Sequence, residues 1–357
     1  GLGAGGKGLY AIDITNPNSP THLFAISNDE SNKAIQHWGS NASKNEFGYA
    51  GGGKIDAKYD YRKLGEAWST PRIIRIKVDG KDKWVAVFGG GYNGAVNPNV
   101  GSAVFVMDLE DEGRLLKVID IEDKAVINDN RFSTIYSRIP AEGQLTNNNT
   151  VLEVYTHLDS GIKHDTAKGE NPHIVEFNPP VGHTITYRNN GTVSTISKIT
   201  FDSAWPCSQG LSCSGTVRFT RMKNDIVNSL PADLSVITAD GTNKANYNGA
   251  MIYATDLEGK VTKINLTENF VIDTDQNSST YNSIVRPVAS DKEVHQTTLF
   301  TAEATSANGR YIYTRPEVTI NNDNNLWLYF GTGNTQKLQS QSSQVKNRLY
   351  GIKDKNF

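Results

Sequence analysis

Trp84-Val-Ala-Val-Phe-Gly-Gly-Gly91 and Trp327-Leu-Tyr-Phe-Gly-Thr-Gly333 are two renderings of one phrase, an apolar strand led by tryptophan and closed by glycines. Each follows a strand opened by proline, Thr70-Pro71-Arg-Ile-Ile74 in one case and Arg315-Pro316-Glu-Val-Thr319 in the other. Each precedes an apolar–aromatic strand that ends on aspartate, Val104-Phe-Val-Met-Asp108 or Leu349-Tyr-Gly-Ile-Lys-Asp354. Two further copies of this aspartate-closed strand occur, Leu9-Tyr-Ala-Ile-Asp13 and Ile252-Tyr-Ala-Thr-Asp256. In the last copy Leu257-Glu-Gly-Lys260 reads as a turn, and Val261-Thr-Lys-Ile-Asn-Leu266 as the returning strand. Order and spacing both recur, which marks an internal structural repeat.

The closing aspartates at 13, 108, 256 and 354 are separated by 95, 148 and 98 residues. A four-stranded propeller blade takes roughly 40–50 residues. The intervals therefore hold two, three and two such units, which predicts an all-β fold, a seven-bladed β-propeller. Radial repetition suits short sheets that cannot bury both faces alone but can pack against neighbours. The competing reading is a β-sandwich whose Trp strands match by coincidence.

Composition agrees with a turn-rich β protein. The 357 residues include 32 Gly and 35 Asn, both tolerant of positive φ. Helical periodicity is scarce, and most apolar runs are short and bounded by Gly, Asn or Asp. A formal charge of −2 with no basic cluster argues against nucleic acid as a partner. No apolar run approaches the 18 or so residues of a membrane-spanning helix.

Two regions depart from the repeat. Residues from about 145 to 230 read as a degenerate blade with an inserted hairpin, pairing 193–201 with 215–221. Surface excursions of this kind are where binding specificity sits. Residues 29–65 form a second excursion, with Tyr49, Tyr59 and Tyr61 among glycines and charges. Trp84 and Trp327, at equivalent repeat positions, are expected in the core, whereas Trp38 and Trp205 fall in the excursions and read as surface anchors.

Catalytic motifs are scarce. The sequence contains no Gly-x-Ser-x-Gly elbow, His-Glu-x-x-His or Walker loop, and Gly1-Leu-Gly-Ala-Gly-Gly6 leads into a strand rather than a helix. The seven histidines are dispersed, His157 and His164 being the nearest pair. A quinoprotein propeller would bring adjacent cysteines and a Trp docking motif with a Gly-Lys turn in most blades. Only Glu258-Gly259-Lys260 approaches that turn.

Calcium is the better-supported ion, because a hard cation wants six to eight oxygens from a tight loop of alternating Asp and Asn. In Asp273-Thr-Asp275-Gln-Asn277-Ser-Ser279-Thr-Tyr281, side-chain oxygens stand at the first, third and fifth positions. Ser279 offers its carbonyl, and Tyr281 its carbonyl or a bridging water. An EF-hand is excluded by the absence of Gly at the sixth position and Glu at the twelfth. The alternative is a solvated acidic loop. Asp240-Gly-Thr-Asn243-Lys-Ala-Asn246-Tyr-Asn248 is a poorer second candidate, and Asn321-Asn-Asp323-Asn-Asn325 reads as the turn before the Trp327 strand.

Cys207 and Cys213 are the sole cysteines. Gly210 between them lets the chain double back, so a disulfide closing a small loop is sterically reasonable. Its contribution would be on the order of 2 kcal/mol, since a short loop loses little entropy on closure. Two free thiols are the alternative, and an oxidising, exporting compartment favours the bond.

The phrases Gly6-Lys-Gly-Leu-Tyr-Ala-Ile-Asp13, Leu64-Gly-Glu-Ala-Trp-Ser-Thr-Pro-Arg-Ile73, Lys83-Trp-Val-Ala-Val-Phe-Gly-Gly-Gly-Tyr-Asn93 and Tyr253-Ala-Thr-Asp-Leu-Glu-Gly-Lys260 resemble the C-terminal domain of the PilC/PilY-type type IV pilus proteins. Arg286-Pro-Val and Leu326-Trp-Leu-Tyr-Phe-Gly-Thr-Gly333 resemble most the neisserial PilC branch. The resemblance covers most of the chain and is weakest between about 145 and 230. It implies a modified seven-bladed propeller over residues 1–357, excised from a larger exported adhesin, and the absence of an initiator Met fits that. It also implies a non-enzymatic role in pilus assembly against retraction, twitching motility and adhesion, at the pilus tip or outer membrane surface. The implied partners are pilin or minor pilins and a host-cell receptor. The family often carries a calcium loop just before the strand equivalent to Ile252–Asp256. Here that place holds only the sparse 240–248 segment, which leaves Asp273, Asp275, Asn277, Ser279 and Tyr281 as the candidate ligands. A quinoprotein-like oxidoreductase and a purely structural periplasmic scaffold are the alternatives.

Overall fold

The computed structural model describes residues 1–50, 55–92 and 100–121, short stretches and strands between 124 and 220, and 229–238. It further describes 249–276, 284–285, 296–335 and 347–354, apart from 268, 303, 306, 307 and 324. The chain divides into two compact units, one formed by Gly1–Asp120 with Val227–Phe357 and the other by Ile121–Ile226.

The first unit opens with strands β1 (Gly8–Asp13), β2 (Thr21–Asp29), β3 (Ala34–Trp38) and β4 (Lys44–Gly48), an antiparallel meander in that order. Next come β5 (Arg72–Val78), β6 (Lys81–Gly89), β7 (Ala103–Asp108) and β8 (Leu115–Asp120). The second unit holds β9 (Lys124–Asn128), β10 (Arg131–Thr134), β11 (Ala141–Thr146), β12 (Val151–Thr156), β13 (His173–Asn178), β14 (Tyr187–Val193), β15 (Ile196–Phe201) and β16 (Thr216–Thr220). The first unit resumes with β17 (Ser235–Thr238), β18 (Ala250–Thr255), β19 (Lys260–Asn265), β20 (Asn269–Ile272), β21 (Ile284–Val285) and β22 (Gln296–Thr301). It ends with β23 (Glu317–Ile320), β24 (Leu326–Gly331) and β25 (Leu349–Asp354).

All four copies of the aspartate-closed phrase are strands, namely β1, β7, β18 and β25. The two tryptophan phrases are β6 and β24, each between its proline-led strand and its aspartate-closed strand. The two meanders share strand order but not register. Asp108 pairs with Val85, the residue after Trp84, whereas Asp354 pairs with Leu326, the residue before Trp327. A two-residue slip preserves the inward and outward faces, because side chains alternate with period two. In β1 and β7 the ladder to the next strand shifts at the same phrase position, between Ala11 and Ile12 and between Val106 and Met107.

The first and last aspartate intervals each contain two sheets, as the arithmetic predicts: β1–β4 with β5–β8, and β17-β18-β19-β22 with β23–β25. The β5–β8 sheet is extended to six strands by β20, which runs parallel to β5, and by β21. The middle interval departs. Residues 121–226, which contain no copy of the phrase, form one eight-stranded antiparallel sheet, so the described residues make five sheets. The expected hairpin between 193–201 and 215–221 does not form. Instead β15 pairs with β12 and β14, and β16 with β13 and β9. The connection between Val193 and Ile196 is far shorter than one across 202–215, and short loops close at less entropic cost.

Sheets in the first unit bury apolar faces against each other. Leu9, Phe24, Ile26 and Ile35 of the first sheet meet Ala86, Phe88, Phe105, Met107 and Leu115 of the next. Tyr61 and Leu64, from the supposed excursion 29–65, lie inside this cluster. Ile35, Tyr61 and Leu64 make the described part of that segment contribute to the core. Buried Asn28 holds it there, donating from Nδ2 to the carbonyls of Arg62 and Leu64 and accepting from Tyr49 Oη. A second cluster joins Tyr253 and Val261 to Ile312, Leu326, Leu328 and Phe330.

Candidate functional site

The repeated aspartates have a structural use. Asp13 Oδ1 accepts from the Thr15 amide and Asp108 Oδ1 from the Glu110 amide, each pinning the turn that follows its strand. Asp256 Oδ1 accepts from the Lys260 amide at 2.9 Å. The other oxygen of Asp108 meets Lys83 Nζ at 2.6 Å. Asp354 Oδ2 binds both Lys263 Nζ (2.6 Å) and Tyr253 Oη (2.8 Å).

The turn of Asp256, Glu258 and Lys260 is buried, charges included. Lys260 Nζ lies 2.8 Å from Glu258 Oε2 and 3.6 Å from Asp256 Oδ2. Backbone bonds stitch the turn to three other segments: Leu257 N to Ser229 O, Ala302 N to Gly259 O, Ala304 N to Glu258 O and Ile312 N to Asp256 O. Gly259 sits at φ +76, and a Cβ there would press on Ala302 Cβ and Arg310 O at 3.1 Å. The sequence Glu258-Gly259-Lys260 is thus a buried lock between segments of the chain.

The five proposed calcium ligands are only partly in view. Asp273 and Asp275 follow β20, and Asp273 Oδ1 accepts the Asp275 amide at 3.0 Å, while Asp275 is exposed. Asn277, Ser279 and Tyr281 lie outside the described residues, as do the 240–248 candidate, the pair Cys207 and Cys213, and His157 and His164. Among the described residues no three His, Cys, Asp or Glu side chains cluster as a metal site. The 321–325 segment is the expected turn: Asn321 Oδ1 accepts from the amides of Asp323 and Asn325.

The tryptophans reverse two expectations. Trp84 and Trp327 are not in the core: Trp84 is 38% exposed and Trp327 half-buried. In β24 the inward positions are Leu326, Leu328 and Phe330, so Trp327 and Tyr329 face out, their rings stacked 6.3 Å apart. That period-two alternation was present in the sequence and outweighs the repeat match as a burial signal. Arg75 lies 5.7 Å over the Trp84 ring. Trp38 is half-buried, and Trp205 is buried (1% exposed) beside Phe201 in the second unit, so Trp205 is no surface anchor.

Further outward apolar residues are Tyr10, Ile12 and Ile14 at and beyond β1, Ile73 on β5, and Ile320 and Leu349 on the last sheet. Gly1, Gly3, Ala4 and residues 67–71 line a cleft of about 360 Å³, with Trp68 in its wall stacked on Tyr92 at 4.7 Å. The sequence reading missed the outward aromatic row of β24 and the ion-paired lock.

These observations define an all-β protein of repeated, face-packed sheets, with interior charges engaged in locks and apolar side chains on its outward faces. No protein-family model and no curated protein matches the chain. Among solved structures it is similar to the Pseudomonas aeruginosa PilY1 C-terminal domain, with 13% identity and a TM-score of 0.31 over 94% of this chain and 57% of that one. It is also similar to Drosophila Semaphorin 1a extracellular domains 1–2, with 12% identity and a TM-score of 0.21 over 95% and 67% of the two chains. The chain thus spans little more than half the length of the PilY1 structure. No helix among the described residues is long and apolar enough to cross a membrane.

Proposed function

We propose that this chain is a non-enzymatic module of the type IV pilus, a modified seven-bladed propeller of the PilC/PilY type. It would act in assembly against retraction, twitching motility and adhesion, at the pilus tip or outer membrane surface. Its partners would be pilin or minor pilins and a host-cell receptor. The observation that carries this reading is the division of labour among side chains. Asp108, Asp256, Glu258, Lys260 and Asp354 are engaged in holding turns and sheets, while Trp84, Tyr329, Ile320 and Leu349 face solvent. Such a framework presents surfaces. Its repeated phrases resemble those of the pilus family. Calcium at Asp273, Asp275, Asn277, Ser279 and Tyr281, and a Cys207–Cys213 bond, belong to the same proposal.

Affinity capture from sheared pilus fractions tests it. The immobilised chain is expected to retain pilin or minor pilins, and a version lacking the second unit, residues 121–226, to retain less. Recovery no greater than on an unrelated propeller would overturn the reading. The Glu258-Gly259-Lys260 lock is the one feature that favours a quinoprotein reading. Dye reduction with alcohol substrates, after reconstitution with quinone and calcium, would support that alternative.

A further inference from the structure

The turn Asp256-Leu257-Glu258-Gly259-Lys260 joins β18 to β19 just beyond their last ladder pair, Thr255 with Val261. Its charges are more deeply buried than those of the other pairs that tie a closing aspartate to a lysine. Lys83 and Lys263 meet Asp108 and Asp354 with 29% and 11% of their side chains exposed, whereas Lys260 is 1% exposed and Asp256 and Glu258 are 2%. The two carboxylates are set differently. Asp256 Oδ1 accepts the Lys260 amide, and Oδ2 faces Lys260 Nζ. Among the described residues neither oxygen of Glu258 accepts a well-directed hydrogen bond, although Oε2 lies 2.8 Å from Nζ. An amine, a carboxyl held in one orientation and a second carboxyl able to pass protons thus meet where solvent does not reach.

We propose that the Lys260 amine and the Asp256 carboxyl condense to an amide, a covalent cross-link that closes the β18–β19 turn, with Glu258 carrying the protons. Glu258 takes a proton from the Lys260 ammonium and frees the nitrogen lone pair. Nζ attacks Cγ of Asp256, and the C–N bond forms as the bond from Cγ to Oδ2 breaks. The Lys260 backbone N–H, already on Oδ1, stabilises the negative charge that builds there. The two protons shed by the nitrogen pass through Glu258 to Oδ2, which leaves as water. Glu258 ends as it began, and no oxidant or further reactant is consumed. Two features favour the step here. Backbone bonds from Leu257, Ala302, Ala304 and Ile312 fix the turn, and groups held in reacting geometry gain effective molarities of about 10⁵–10⁸ M. Burial keeps out the water that would hydrolyse the product. The ion pair is the reactant and the amide its product. This inference is independent of the pilus reading.

Mass spectrometry of the purified 357-residue protein tests it. Lys260→Met leaves both acids without the amine whichever form the pair takes, so stability alone does not report the bond and mass does. After denaturation and trypsin digestion, the cross-linked chain is expected to yield the fragment Ala245–Lys263, uncut after Lys260 and lighter by one water. Fragmentation should place the bond between Asp256 and Lys260. Glu258→Gln, nearly the same in shape, is expected to fold with a cooperative melt and to lose no water. Asp256→Asn is expected to shed ammonia in place of water, a signature that a merely structural role would not produce. Cleavage after Lys260 with the full mass of both fragments, in fresh and in long-incubated protein, would overturn the proposal. So would a loss of water that leaves Lys260 open to trypsin, since that marks a cyclic imide at Asp256. Undiminished cross-linking in Glu258→Gln would overturn the role given to Glu258.

Discussion

Tyr253 Oη donates a 2.8 Å hydrogen bond to Asp354 Oδ2, tying β18 to β25 across 101 residues of sequence. Lys263 Nζ reaches the same oxygen at 2.6 Å, so one carboxylate holds two strands of the neighbouring sheet. Burial first, then the bond to Asp354, raise the Tyr253 phenol well above its ordinary value. Tyr253→Phe is expected to lower stability by about 1.5–3 kcal/mol, the loss of a bond to a charged group. Because the folded value is raised, the stabilisation is complete below the unfolded tyrosine value of about 10 and is lost as pH climbs towards the folded one. Urea melts at pH 8 and pH 11 check this, and the alkaline loss should be smaller in Tyr253→Phe.

The lock at Asp256, Glu258 and Lys260 gives a second outcome. Removing the cation leaves two buried carboxylates beside each other, whereas removing the facing acid as well relieves the imbalance. Lys260→Met is expected to cost about 3–5 kcal/mol, the scale for breaking a buried pair. Lys260→Met with Glu258→Gln should recover at least half of that in a double-mutant cycle. Additive losses would mean that the two side chains do not act as a pair.

The repeat made the strand plan of the first unit readable. All four aspartate-closed phrases are strands, although their burial ranges from β7, buried throughout, to β25, where only Asp354 is buried. What the phrases could not convey is pairing in the second unit. Between 121 and 226 no phrase recurs, and antiparallel partners there are set by loop closure and register rather than by a local signature. Tryptophan shows a related limit: Trp84 and Trp327 match in order, but burial follows strand face, and alternation with Leu326 and Leu328 turns Trp327 outward. The lock was hidden because Glu258 and Lys260 look like an ordinary polar turn until other segments close over it.

Glu112 supplies an acid-sensitive contact. Its Oε1 accepts the Ser40 amide at 2.9 Å, and its carbonyl contacts His37 Nε2 at 2.9 Å, joining the β7–β8 turn to the first sheet. The Ser40 hydrogen bonds, aided by His37 and Arg114, hold the Glu112 carboxyl below the ordinary glutamate value. A depressed carboxyl stabilises the fold above the unfolded value of about 4.3, and that contribution is lost as pH falls through the folded one. The carboxylate is largely open to solvent, so the effect is small. Melting curves from pH 7 to pH 3 should fall more steeply for the native chain than for Glu112→Gln. Parallel curves would remove the contact from the account.

Calcium at 273–281 would be held by the segment that follows β20, and β20 is itself bonded in parallel to β5. Asp273 Oδ1 holds the Asp275 amide, so the first and third ligand positions are already brought into one tight turn. A cation binding only the folded chain stabilises it by RT ln(1 + [L]/Kd), which reaches about 2.7 kcal/mol at a hundredfold excess over Kd. Millimolar Ca²⁺ added to chelated protein should therefore raise the melting temperature by about 3–4 °C, since an unfolding entropy of about 2.1 cal/mol/K per residue makes each kcal/mol worth about 1.3 °C in a 357-residue chain. Mg²⁺ should do less, since it demands octahedral geometry and sheds water reluctantly. Asp273→Ala with Asp275→Ala is expected to abolish the increment while leaving the metal-free melting temperature within about 2 °C, because Asp275 is exposed. An undiminished increment in that double variant would move the ion elsewhere, and no increment in the native chain would remove it altogether.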